Sequence, residues 1–166
     1  MASVIEILHS EAELLGGDYG RVVLAGVSQG GATAAHVLLN LDLDLGRGGG
    51  GGKGLGGLMT FCSRFPYPGR TLRESREILG LERKGEGDDG GSGEEVVIRG
   101  TPVLWQHCVD DPLVRIEYGR QLRETLRAMG AKVEGKEYPV GGHWVQTPDG
   151  VDDAARWIRE RVLGEK

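Results

Sequence analysis

The sequence predicts an α/β fold, a parallel sheet flanked by helices. Three observations lead there. Short apolar runs rich in β-branched residues recur, among them "RVVLAGV", "LGGLMTFCS" and "TPVLWQHC"; such runs read as strands covered on both faces, as parallel strands are. Segments with apolar residues at helical spacing separate them. The order, strand then helix repeatedly, belongs to parallel strands joined by crossovers rather than to hairpins.

The elements follow in chain order. Val4, Ile5, Leu8, Ala12 and Leu15 are spaced for one helical face, so residues 3–15 are expected to form an amphipathic helix that Gly16-Gly17 stops. "RVVLAGV" is the first strand, and from Gly30 to Leu39 the pattern is helical again. "LGGLMTFCS" is the second strand, and "RTLRESREILGL" is a short, charged helical excursion. "TPVLWQHC" is the third strand, with Pro102 tolerable at its start. Leu113 to Met129 is a helix with Ile116, Leu122, Leu126 and Met129 on one side. "AKVEGKEYPV" is the fourth strand. Thr147-Pro148 opens the last helix as cap and first-turn proline, and Val151, Ala154, Ala155, Ile158 and Val162 line its inner face.

A chain of 166 residues suits one domain, 1–166. Its 30 glycines are concentrated at residues 46–57 and 85–95, and both segments read as flexible surface insertions because they carry few side chains to bury. The first is not a phosphate loop: Arg47 stands where the motif needs glycine, and Gly54 follows Lys53 where it needs Ser or Thr. A net charge of −5 gives no support for nucleic acid as a partner. No apolar run approaches the ~20 residues of a membrane span, and the N-terminus, acidic by Glu13, is not a signal peptide. Cys62 and Cys108 are too few for a disulfide scaffold, so the expected compartment is the reducing cytoplasm. No Cys/His cluster has ligand spacing, and neither metal nor organic cofactor is expected.

Ligands of parallel sheets sit beyond the carboxyl ends of the strands. Ser28, in Gly26-Val27-Ser28-Gln29-Gly30, lies there, between the first strand and the next helix. A sharp strand-to-helix turn exposes the serine oxygen and places the Gln29 N–H where an oxyanion would form. A serine needs a base and an orienting carboxylate. "HCVDDPLV" offers Asp110 and Asp111 just past the third strand. Of the histidines after Ser28, His36 falls in a helix, His107 ends the third strand, and His143 lies in the loop "PVGGHWVQTP" before the last helix. Taken with Asp111, the order Ser28, Asp111, His143 is that of the α/β hydrolases.

"GVSQGG", "DDPLV" and "GGHW" resemble motifs of the acyl-protein thioesterase and carboxylesterase family of α/β hydrolases. Ser28 matches the nucleophile, Asp111 before Pro112 the acid, His143 the base, and His107 a strand-end histidine that is not catalytic. The resemblance implies hydrolysis of carboxylic esters or acyl thioesters through an acyl-serine, with acylated proteins or lysolipids among the substrates. Two departures stand out. Cys108 replaces a glycine. Family members also carry several strands before the nucleophile strand, whereas one helix precedes it here. The expectation is therefore an α/β-hydrolase-type sheet lacking its N-terminal strands. The strand Arg21 to Val27 is then an exposed edge open to self-association, and one oxyanion donor is missing. The alternative reading is a catalytically impaired remnant serving as a binding or partner-completed module.

Overall fold

In the computed structural model, residues 2–41, 54–65, 67, 69–78 and 94–165 are described. Their strands are β1 (Val23–Val27), β2 (Gly57–Phe61), β3 (Pro102–Cys108) and β4 (Lys132–Tyr138). They pair in sequence order, and every pairing is parallel. Among the described residues the helices are α1 (Ala2–Leu14), α2 (Gln29–Asn40), α3 (Leu72–Ile78), α4 (Glu94–Gly100), α5 (Ile116–Ala128) and α6 (Asp149–Arg161), with a 3-10 turn at Tyr19–Arg21.

The two central strands, β2 and β3, are covered on both faces, and the period-2 alternation of the strands decides which side chain goes where. Leu58, Val103 and Trp105 join a core with Leu8 of α1, Val37 and Leu38 of α2, Ile98 of α4, and Leu122 and Leu126 of α5. Their neighbours Met59, Phe61 and Leu104 point the other way, onto Trp157 of α6. Burying one such large side chain contributes about 1.5–3 kcal/mol. The register brings Val27 level with Phe61, Phe61 with Gln106, and Cys108 with Tyr138, so the carboxyl ends form one edge of the molecule.

Several expectations need correction. Residues 46–53 of the first expected insertion lie outside the described residues, but 54–57 are buried and Gly57 opens β2. Glycine is needed there for close approach: a Cβ on Gly57 would lie 2.5 Å from the Trp157 ring, and one on Gly54 would lie 2.2 Å from Thr101 Oγ1. Of the second insertion, 85–93 lie outside the described residues, and Glu94 and Glu95 begin α4, which the sequence reading left out. In α6, Pro148 is the N-cap rather than the first helical residue. The inner face of α6 is organised by Trp157, while Val151 and Ala155 point outward. Residues 79–81 of the charged excursion are also outside the described residues, and α3 ends at Ile78.

β1 forms one edge of the sheet among the described residues. Its residues are half-buried or exposed, not closed in on both faces. Among the described residues no helix is long and apolar enough to cross a membrane.

Candidate active site

Ser28 follows β1 and caps α2 with φ 54° and ψ −120°, a positive φ that costs a non-glycine residue of order 1–3 kcal/mol. The surroundings hold it there. Its N–H donates to Phe61 O at 2.9 Å, and the buried Ser63 hydroxyl donates to Ser28 O at 2.7 Å. The glycines make room: a Cβ on Gly26 would lie 2.2 Å from the Gly30 carbonyl carbon, and one on Gly31 would lie 2.8 Å from Ser63 Cβ. Gly30 itself faces open space. The Gln29 N–H, first of α2, has no partner within the helix and remains available at its positive end.

Asp111 lies three residues past β3 and is buried. Its Oδ1 accepts the N–H groups of Leu113 and Val114, each at 2.9 Å, and its Oδ2 lies 2.8 Å from His143 Nδ1. Burial by itself would raise the carboxyl pKa; the bonds from His143, Val114 and Leu113 outweigh it and hold the group below its usual value. An ionised carboxylate only accepts, so His143 Nδ1 carries the proton, and in the neutral form of the ring the lone pair is on Nε2. Chain positions 32 apart thus meet at the sheet's carboxyl edge, on the side where Ser28 leaves β1. Among the described residues Ser28 Oγ makes no hydrogen bond to His143.

The other histidines are occupied differently. His107 Nε2 lies 2.8 Å from Val114 O, which makes that nitrogen a donor, and 3.4 Å from Asp111 Oδ2. Burial lowers its pKa. His36 is buried in α2, stacked on Phe65 at 5.4 Å and edge-on to Tyr67 at 5.6 Å. Ligand atoms of Cys62, His107 and Asp111 come within 4.8 Å of one another, a grouping that their spacing in the sequence did not suggest. In the arrangement seen, His107 Nε2 donates to Val114 O and the Cys62 thiol donates to Trp144 O, so each would give up a hydrogen bond and a proton to ligate a metal.

Cys62 was missed as part of the site. It follows β2 with φ 46°, its thiol donates to Trp144 O at 3.1 Å, and burial pushes its pKa up to about 12. Cys108 also reaches Trp144 O, at 3.7 Å, and burial raises its thiol as well. Both cysteines are free. Asp110, the other aspartate of "DDPLV", accepts the N–H groups of Gly141 and Gly142. Ser63 was missed too. No pattern in a sequence marks a cysteine for positive φ or a serine for a bond to a carbonyl 35 residues away.

No family model matches the chain. A probable carboxylesterase of Oryza sativa subsp. japonica is 30% identical over 142 residues, 85% of this chain and 47% of that protein. Acyl-protein thioesterase 1 of Gibberella zeae is 34% identical over 64 residues, 39% of this chain and 27% of that protein. A crystal structure of Arabidopsis thaliana SOBER1, named a carboxylesterase, superposes with a TM-score of 0.69 at 26% identity, covering 96% of this chain and 62% of that one. The matches span less than half the length of these curated relatives. A parallel sheet flanked by helices gives the chain the α/β-hydrolase fold, and Ser28 on its strained strand-to-helix turn and the bonded Asp111–His143 pair lie at the sheet's carboxyl edge. Within that class the chain is similar to acyl-protein thioesterases and carboxylesterases.

Proposed function

We propose that this chain carries the catalytic serine, base and acid of a hydrolase acting on carboxylic esters or acyl thioesters, and that it works through an acyl-serine. The observation that carries the reading is the Asp111–His143 bond at 2.8 Å, which leaves Nε2 as the basic atom. Ser28 Oγ attacks the acyl carbon and gives its proton to His143 Nε2. Asp111 stabilises the imidazolium through Nδ1–H. The oxyanion forms at the Gln29 N–H, and collapse expels the alcohol or thiol with the proton from Nε2. Water then removes the acyl group by the same path in reverse.

This assignment favours a working site over the remnant reading, because the Asp111–His143 pair is bonded as a general base requires and lies at the same sheet edge as the strained Ser28. The test is covalent. Incubated with a fluorophosphonate, the chain is expected to gain one adduct, mapped to Ser28 by mass spectrometry. Ser28→Ala should abolish it, and His143→Ala should slow it strongly while His107→Ala slows it less. Labelling elsewhere with Ser28 untouched would remove the nucleophile from the proposal.

A further inference from the structure

We propose that Asp110 is a positioning residue that clamps the loop carrying His143, an inference that rests on reading His143 as the base. Asp110 Oδ1 accepts the N–H of Gly141 and of Gly142, each at 2.9 Å, and Oδ2 accepts Gly141 N–H at 3.2 Å. Two successive amides converge on one carboxylate immediately before His143. Bonds of this kind to an ionised acceptor are shorter and stronger than neutral ones.

The loop needs such a hold. Val140 and Trp144, on either side of the base, are 69% and 65% exposed, so side-chain burial does not anchor this half. The second half is fixed otherwise: Val145 packs on the Trp157 cluster, and Gln146 Oε1 accepts Gly150 N–H at 2.8 Å. From below, the Cys62 thiol holds Trp144 O. Asp110 supplies the short hydrogen bonds on the approach to His143, where the Cys62 thiol reaches Gly142 O only at 3.7 Å. The glycines fit the clamp. Gly142 has φ 64°, which favours glycine, and a Cβ on Gly141 would lie 2.6 Å from Cys108 Sγ.

Adjacent aspartates thereby divide two tasks. Asp111 points inward and orients the imidazole ring; exposed Asp110 holds the backbone that delivers the ring. An exposed acid without this role would be solvated and replaceable at no cost to turnover.

The experiment compares Asp110→Ala and Asp110→Asn with the unaltered chain. Alanine removes the acceptor, whereas asparagine keeps one oxygen that can receive both amides. Hydrogen exchange at the Gly141 and Gly142 amides is expected to accelerate about tenfold or more in Asp110→Ala and to return toward the original rate in Asp110→Asn. With an aryl ester, kcat should fall about tenfold or more in the alanine variant with KM little changed, and asparagine should restore most of it. Unchanged exchange in Asp110→Ala overturns the clamp, whatever the chain hydrolyses. Faster exchange with unchanged kcat overturns the positioning role. Fluorophosphonate labelling of Ser28 in the unaltered chain judges the hydrolase reading separately, so the two failures are distinguishable.

Discussion

Asp111 shows how much chemistry one carboxylate decides. It is buried, yet it stays ionised because two amides and an imidazole N–H converge on it. The charge matters less than the direction of the proton. In Asp111→Asn the side-chain amide would present N–H groups to a nitrogen that now donates. The imidazole would escape by moving its proton to Nε2, and the lone pair needed by Ser28 would be lost. Folding should survive, since Asn retains an oxygen for Leu113 and Val114. The expected result is a fall in kcat of about 10⁴-fold with KM little changed. A loss of less than about tenfold on a simple aryl ester would show that Asp111 does not set the tautomer.

The strand-to-helix turn between β1 and α2 is the element whose sequence is least free. Its three glycines do unequal work. Gly26 lies under the Gly30 carbonyl and Gly31 lies against Ser63, so a methyl group at either must push backbone or the buried serine aside. Gly30 has nothing within 4 Å of its Cβ position. Gly26→Ala and Gly31→Ala should each cost roughly 1–3 kcal/mol in urea unfolding, and slow Ser28 labelling. Gly30→Ala should be neutral or slightly stabilising, because alanine suits a helix better than glycine. Equal losses at all three would mean that the motif is set by something other than space. The elements whose residues advertise a period were legible in advance: the parallel strands, α1, α2 and α5, and with them the placement of Ser28, Asp111 and His143 after strand ends. Space was not legible. Glycines at 54–57 looked like the tail of an insertion, but they are packed against Thr101, Gly20 and Trp157. Trp157 escaped notice as the anchor of α6 because an apolar count weighs Val151 and Ala155 equally with it. Asp110, Cys62 and Ser63 act through single bonds to distant backbone atoms, which no local pattern encodes.

For the molecule as a whole, two imidazoles closed into the interior tie folding to pH. His107 sits at the end of β3 and His36 within α2, and both are almost fully buried. Burial lowers the pKa of each below the ordinary histidine value. The folded chain therefore keeps them neutral where the unfolded chain, with values near ~6.5, takes up protons. The sign follows from linkage: the unfolded state binds more protons, so stability falls as pH drops below ~6.5 and continues to fall until the folded-state values are reached. Above that pH neither group contributes a slope. Each can approach about 1.4 kcal/mol per pH unit at the steepest part. Asp111 adds a loss only at more acid pH, when its depressed carboxyl finally protonates. Urea unfolding between pH 8 and pH 5 should show this decline. His36→Phe isolates one share of it, because a phenyl ring can stack on Phe65 in the same way and His36 Nδ1 has no hydrogen-bond partner among the described residues to lose. The variant should match the original chain at pH 8 and lose less stability toward pH 5. If its decline is as steep as that of the original chain, His36 is not held neutral by the fold, and the acid sensitivity must be assigned to His107 and the carboxylates alone.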